Sequence, residues 1–168
     1  MKLRALLTFL MLLSTANIGN ADQLESPTGE ILLTVSGDIS ETNAPEGAVF
    51  DLKMLRHLPR TNIETTTIWT DSKHHFSGVS LHDLVHCLKI SGSSILARAI
   101  NDYQVKIPLE DAKLGGPIIA FLRDGTPMLR REKGPLWIIY PYDVKPEYKS
   151  ETFYARSIWQ LDRIEVVD

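Results

Sequence analysis

The sequence predicts a single mixed α and β domain that is rich in strands. Apolar segments with β-branched residues, bounded by glycine or proline, recur along the chain, whereas apolar residues at helical spacing occur only in short stretches. No internal repeat, low-complexity tract or linker divides the 168 residues. The predicted class is therefore α+β, with the domain spanning residues 31–168.

Short strands and helices are predicted to alternate in the first half of the chain. Residues 31–39, ILLTVSGDI, predict a strand that runs into a glycine turn. Asp51 is expected to cap a short leucine-containing helix that ends at Pro59. Residues 62–69, NIETTTIW, have strand propensity.

A second helix is predicted after Ser80, which forms a capping-box pattern with Asp83. One face of this helix is an apolar stripe formed by Leu81, Leu84, Val85 and Leu88. His82 and His86 share the opposite face at the four-residue spacing of zinc-binding helices. An exposed helix face is the alternative, because no third ligand follows at helical spacing. We expect no metal site here.

The second half is predicted to consist mainly of strands. The expected elements are a strand at 103–108, a helical turn at 109–113, a hairpin at 117–129 with its turn at Asp124–Gly125, a buried strand at 135–141 and a final alternating strand at 159–167.

The N-terminus has the plan of a secretory signal peptide. Lys2 and Arg4 precede an apolar run from Ala5 to Leu13, and small residues precede an expected cut after Ala21. Residues 1–21 are therefore predicted to be removed, residues 22–30 to be a flexible N-terminal segment, and the mature protein to be periplasmic. The run is too short to span a bilayer.

Charge and cysteine content exclude several classes of protein. The net charge of −3 gives no general attraction to nucleic acid or to anionic lipid. Cys87 is the single cysteine, so the chain cannot form an internal disulfide, and we expect it to be a small buried apolar residue. His74 and His75 point to opposite sides of an extended chain and are poorly placed to chelate one ion.

Cationic, hydroxyl and aromatic residues gather near two strands of the C-terminal third. Arg130, Arg131 and Lys133 come just before the buried strand, and Arg156, Ser157 and Trp159 lie at the start of the last strand. Such groups at strand ends suit a flat, polar ligand that could be anionic. The alternative is that the arginines are solvated and that the tryptophans belong to the core.

Five segments in order resemble the molybdopterin-binding domain of the sulfite oxidase family. They are FSGVSLHDLV (76–85), AINDYQVKIPLED (99–111), DGTPML (124–129), GPLWIIYP (134–141) and RSIWQLDRIEV (156–166). The resemblance covers nearly the whole chain after the leader. It implies a mixed fold with a half-barrel of strands.

In that family a cysteine before the G-V-x-L helix turn holds the molybdenum. The corresponding region here is Thr65, Thr66 and Thr67, and Cys87 lies beyond the turn. A threonine hydroxyl is a poor ligand for a site built around sulfur. The resemblance therefore implies a retained pterin pocket without molybdenum, like that of small periplasmic family members that bind free pterins.

The resemblance also implies a set of ligand-binding residues. Asp102 would accept hydrogen bonds from the donor edge of a reduced pterin, and Arg130 or Arg131 would hold its tail. The whole expected site consists of Trp69, Asp102, Tyr103, Arg130, Arg131, Tyr154, Arg156, Ser157 and Trp159. Of these, Trp69, Tyr103 and Trp159 would stack on the rings, and Arg156 and Ser157 would bind a carbonyl oxygen and a ring nitrogen.

Three functions follow from these observations. The first is a non-catalytic pterin-binding protein that relays pterin levels to the periplasmic domain of a membrane-bound cyclic-di-GMP enzyme, as the resemblance implies. The second is a molybdopterin-dependent oxidoreductase domain or subunit. The third is a zinc hydrolase that uses His82 and His86.

Overall fold

The computed structural model describes residues 24–168, which form two five-stranded sheets and three short α-helices. The signal-peptide prediction lies outside the described residues. None of the described helices is long and apolar enough to cross a membrane.

The first sheet joins the two ends of the described chain. Its order is β2-β1-β10-β5-β6. These strands are β1 (Ile31–Gly37), β2 (Ala48–Asp51), β5 (Ser94–Ala99), β6 (Gln104–Pro108) and β10 (Leu161–Val167). β1 and β10 pair in parallel, with Thr34 opposite Arg163, and the other neighbours pair in antiparallel fashion.

The second sheet is antiparallel and is built around β7. Its strands are β3 (Arg60–Thr65), β4 (His74–Ser80), β7 (Ile118–Arg123), β8 (Thr126–Pro127) and β9 (Trp137–Ile139). β7 pairs with β4 on one side and with both β8 and β9 on the other. Gly78 allows β4 to approach β7, because a Cβ there would lie 2.0 Å from the carbonyl oxygen of Ile119.

Two of the helices begin where the sequence predicts them. The carboxylate of Asp51 accepts the backbone N–H of Met54 and starts α1 (Leu52–His57). Ser80 Oγ accepts the N–H of Asp83 and starts α2 (Leu81–Leu88). A third helix, α3 (Glu151–Arg156), was not predicted, because its six residues carry no apolar repeat.

The core lies on the inner faces of both sheets. β9 is buried throughout, and β7 is buried apart from Arg123, as expected for strands covered on both faces. Near the end of the predicted flexible segment 22–30, Asp51 also accepts the N–H groups of Thr28 and Gly29.

The mixed α and β class is confirmed, as is the hairpin turn at Asp124–Gly125, where both residues have positive φ. Several strand bounds differ from prediction, and two of the differences have a local cause. The strand expected at 62–69 ends at Thr65, where the chain turns so that Thr66 can bind Asp143. The last strand begins at Leu161, because Gln160 adopts a left-handed conformation.

Candidate functional site: an aromatic cavity

A cavity of about 420 Å³ opens where α3, the β5–β6 turn and the segment before β10 meet. Its lining consists of Trp69, Ala99, Asn101, Tyr103, Tyr154, Ala155, Ser157, Ile158 and Trp159. The volume lies in the range of small-molecule sites. Four of the nine lining residues are aromatic and none is charged, so the cavity suits a flat ring system.

Trp69 lies at the centre of the aromatic wall. Its ring makes edge contacts with Trp137, Tyr154 and Trp159 at centroid distances of 5.8, 5.9 and 5.5 Å. Edge-to-face pairs of this kind are favourable and orient the rings. Trp137 is fully buried behind the wall, whereas Trp159 is 38% exposed at the cavity. The cluster therefore joins the core to an accessible aromatic surface.

Threonine hydroxyls hold the loop that carries Trp69. Thr66 donates to Asp143 through both its N–H and its hydroxyl, each at 2.8 Å. Thr67 Oγ1 lies 2.9 Å from Thr70 Oγ1 and accepts the N–H of Trp69 at 3.1 Å. The threonine run is thus engaged in shaping its own loop.

Asp143 anchors this loop as an ionised carboxylate. A hydrogen bond from Lys149 and the N–H of Thr66 lower the pKa of Asp143 to about 2. The Lys149 ammonium lies 2.8 Å from the carboxylate. Asp143 therefore stays charged, and stays bound to the Trp69 loop, at neutral pH.

A buried polar group supports the back of the cavity. Ser157 Oγ donates to the carbonyl oxygen of Phe153 at 2.6 Å, so the short hydrogen bond between Tyr142 and Ser157 uses the tyrosine hydroxyl as donor. Trp137 Nε1 donates to the Ser157 carbonyl oxygen at 3.1 Å. Burial raises the pKa of Tyr142, which stays neutral. The Ser157 hydroxyl is thus already engaged by the protein.

Arg156 turns away from the cavity and binds Asp111. Its guanidinium donates to the Asp111 carboxylate at 3.0 Å, and Tyr140 OH donates to the same oxygen at 2.7 Å. Both ion-pair partners are largely buried, with side-chain exposures of 21% and 12%. The pair fixes the end of α3, which carries Tyr154 and Ala155 into the cavity wall.

Asp102 also points elsewhere. It occupies a left-handed conformation in the β5–β6 turn, and its carboxylate lies 2.9 Å from the guanidinium of Arg163. Its side chain is 73% exposed and does not line the cavity. The acceptor role expected for Asp102 is therefore not supported by its position.

Arg130 and Arg131 form part of a short helical turn that borders the site without lining it. Gln160 connects this turn to Trp159: its side-chain amide donates to the Arg130 carbonyl at 2.8 Å, and its N–H donates to the Lys133 carbonyl at 3.1 Å. The Lys133 ammonium lies 4.9 Å from the Trp159 ring centroid. Lys133 is thus the cation that contacts a cavity-lining ring most directly.

Five of the nine predicted site residues meet in the cavity. They are Trp69, Tyr103, Tyr154, Ser157 and Trp159. Sequence reasoning missed Asn101, Ala99, Ala155 and Ile158 as lining residues. Asn101 could have been found, because it precedes Asp102 in the same turn, whereas the other three offer the cavity a backbone or an apolar surface that no motif marks.

The other candidate ligands and nucleophiles lie apart from this cavity. The rings of His82 and His86 lie 4.3 Å apart on α2, and the 24–168 region contains no group of three or more His, Cys, Asp or Glu side chains that could hold a metal ion. Cys87 is half-buried, rather than fully buried as expected, and lines a second cavity with His57 and Met54. Burial, together with the nearby charge of Glu41, raises the pKa of its thiol.

Comparison with known proteins relates the fold to that of an enzyme. No family model and no curated protein matches the sequence. The protein is similar to the sulfane dehydrogenase SoxCD from Paracoccus pantotrophus, with a TM-score of 0.58 and 17% identity. The two proteins share a fold. The similarity covers 81% of this chain but 38% of the SoxCD chain, so this protein matches well under half of that chain's length.

Proposed function

We propose that this protein binds a free pterin in the aromatic cavity and relays its presence to the periplasmic domain of a membrane-bound cyclic-di-GMP enzyme. The observation that carries the proposal is the uncharged lining with four aromatic side chains around about 420 Å³. A flat bicyclic heterocycle would stack there, which contributes about 0.5–1.5 kcal/mol beyond the burial of area.

The donor atoms near Trp69 do not fit a molybdenum centre. The hydroxyl of Thr65 is fully buried, lies 3.1 Å from the Thr66 carbonyl oxygen and accepts the N–H of Asp143. Thr66 and Thr67 are engaged as described above, and none of the three supplies the sulfur that such a site favours. Cys87 lies at the second cavity. These residues therefore do not supply the ligand set of a molybdenum centre.

The position of the cavity mouth supports the proposed relay. Tyr103 and Trp159 line the cavity and are exposed by 54% and 38%, so apolar surface would border a bound ligand. A partner that contacts this rim would meet a different surface when the cavity is filled. That difference is what a signalling protein requires, because a ligand shifts a partner's binding only through differential affinity.

The direct test is ligand identification. Protein purified from its native compartment should release a fluorescent heterocycle on extraction, and the stripped protein should bind reduced pterin at one molecule per chain in calorimetry. Elemental analysis should find well under one molybdenum per chain. Stoichiometric molybdenum, or no saturable pterin binding, would contradict the proposal.

The partner is tested separately. Immobilised protein with and without pterin should retain different amounts of the periplasmic domain of the inner-membrane enzyme. Equal retention in both states would leave no signal to transmit and would contradict the relay, even if pterin binding were established.

The second candidate is an oxidoreductase, which the likeness to the sulfane dehydrogenase SoxCD favours. Pterin titrations followed by absorbance separate the two functions. A binding protein returns the pterin in the oxidation state in which it was added, whereas an oxidoreductase changes that state when an electron acceptor is present.

A further inference from the structure

We propose that Asn101 determines ligand specificity by donating a hydrogen bond from its side-chain amide to an acceptor atom on the edge of the heterocycle. This inference rests on the proposed function and names the chemical edge that the cavity recognises. The sequence resemblance suggested that Asp102 would accept hydrogen bonds from the ligand. The inference gives the polar contact to Asn101 instead, which would donate a hydrogen bond to the ligand.

Asn101 offers the cavity a planar amide, whereas Tyr103, Tyr154 and Ser157 carry hydroxyls and the two tryptophans of the lining carry indole N–H groups. The Ser157 hydroxyl is already bound to Phe153 and Tyr142. Asn101 is exposed at the cavity, and its Oδ1 accepts the N–H of Tyr103 at 3.2 Å. Within residues 24–168, its Nδ2 makes no hydrogen bond, so both of its N–H groups remain for a ligand.

The turn around Asn101 is held rigidly. Ala99 N–H donates to the Tyr103 carbonyl at 2.8 Å, and Asp102 N–H donates to the Ala99 carbonyl at 2.9 Å. Ile100 N–H donates to the Gln160 carbonyl at 3.0 Å, which ties the turn to the residue after Trp159. The donor of Asn101 and a stacking surface are thus fixed relative to each other before the ligand arrives, which reduces the entropy lost on binding.

The amide donor of Asn101 indicates which atoms the edge of the ligand must present. A neutral amide donor pairs with a carbonyl oxygen or an unprotonated ring nitrogen, and a pterin carries both. A flat hydrocarbon would stack equally well but would leave the donor without a partner. Such a polar mismatch discriminates more strongly between ligands than a difference in apolar contact does.

The test compares two probes that share a bicyclic shape. 6-Hydroxymethylpterin carries the polar edge, and naphthalene, a flat hydrocarbon, carries no hydrogen-bond acceptor. Asn101→Leu should weaken pterin binding about fivefold to tenfold, as expected for one neutral hydrogen bond, and should change naphthalene binding by less than about twofold. Gln104→Leu is the matched control, since it removes an amide from the same hairpin outside the cavity and should change neither affinity.

Asn101→Asp tests whether the side chain at position 101 donates or accepts the hydrogen bond to the ligand. It keeps an oxygen for the Tyr103 N–H but replaces the donors with a charged acceptor, so pterin binding should weaken. Tighter binding would mean that the ligand presents a donor edge, and equal weakening of both probes by Asn101→Leu would mean that Asn101 only shapes the cavity. Either result overturns the inference while pterin binding stands. Failure of the unaltered protein to bind pterin overturns the proposed function and, with it, this inference.

Discussion

Trp159 is the residue whose role the structure defines best. Its ring is 38% exposed, lines the cavity, contacts Trp69 on its edge and has the Lys133 ammonium over it. A tryptophan with this exposure contributes little to core packing. Its accessible surface instead suits contact with a ligand.

Trp159→Phe should reduce pterin affinity by about 1 kcal/mol, or roughly fivefold, because stacking area is lost. The melting temperature of the ligand-free protein should change little. Calorimetry and quenching of tryptophan fluorescence by added pterin measure the effect. Trp137→Phe provides the contrast: Trp137 is buried, so this variant should lower the free energy of unfolding through a lost hydrogen bond and a cavity. Unchanged affinity in Trp159→Phe would place the ligand elsewhere.

Arg156 is a positioning residue in this structure. Replacement by methionine removes its bond to Asp111 and should lower the free energy of unfolding by about 1–3 kcal/mol, since a largely buried carboxylate loses its charged partner. Pterin affinity should fall as well, because the end of α3 shifts. Chemical denaturation measures the first effect, and calorimetry measures the second.

The control for Arg156 is a more exposed ion pair. Arg163→Met removes the ion pairs of Arg163 with Asp102 and Asp162 and its hydrogen bond to the Ala99 carbonyl. Because the Arg163 and Asp102 side chains are 41% and 73% exposed, the loss should cost only about 0–1 kcal/mol. Equal costs for the two variants would contradict the positioning role of Arg156.

Two local structures, the start of α1 and the loop that carries Trp69, depend on ionised aspartate carboxylates. Asp51 caps α1 and also binds Thr28 and Gly29, and its hydrogen bonds, that from Met54 foremost, lower its pKa from 3.8 to about 2. The Trp69 loop depends in the same way on Asp143, with a pKa of about 2. In both cases the folded-state pKa lies below the unfolded value.

Stability from these carboxylates should be fully present above about pH 4, the ordinary pKa of an aspartate, and should be lost as the pH falls toward 2. Thermal melts between pH 2 and pH 6 measure this dependence. Asp143→Asn should flatten the curve below pH 4 and lower pterin affinity, whereas Asp51→Asn should flatten it without changing affinity. A curve that is identical in all three proteins would mean that neither carboxylate is linked to folding.

The elements that sequence reasoning found and missed differ in their local signals. α1 and α2 were predictable because Asp51 and Ser80 mark their starts chemically, and the hairpin because Asp124–Gly125 suits positive φ. α3 was not predictable, because it is held by tertiary contacts such as the Asp111–Arg156 pair, which lie 45 positions apart in sequence.

The same division explains the site. The aromatic residues of the site were predictable because a stacking role requires only an aromatic side chain near the turns that form the cavity. These residues are Trp69, Tyr103, Tyr154 and Trp159. Asp102 and Arg156 were expected to bind ligand, but each forms an ion pair with another residue of the protein. The charge of a side chain therefore does not by itself predict whether it faces the cavity. The direction of a charged side chain is set by partners that are distant in sequence: Arg163 for Asp102 and Asp111 for Arg156.

Ligand binding should increase the free energy of unfolding of the entire domain. Pterin at 100 times its dissociation constant should add about 2.7 kcal/mol, provided that only the folded state binds. For a domain of this size that corresponds to a rise of about 5–10 °C in the melting temperature. Differential scanning calorimetry at several pterin concentrations measures the rise. Trp159→Phe should show a smaller rise at the same concentration, and a rise without dependence on concentration would contradict specific binding.

The parallel pairing of β1 with β10 also has a consequence for how the chain folds during its synthesis. β10 lies at the centre of its sheet between β1 and β5, so β1 cannot complete its pairing until Leu161–Val167 has been synthesised. Contacts of such long sequence separation slow folding and make it cooperative. We therefore expect the growing chain to have no stable partial fold of this sheet during synthesis. Loss of β10 (Leu161–Val167) would abolish the domain rather than shorten it.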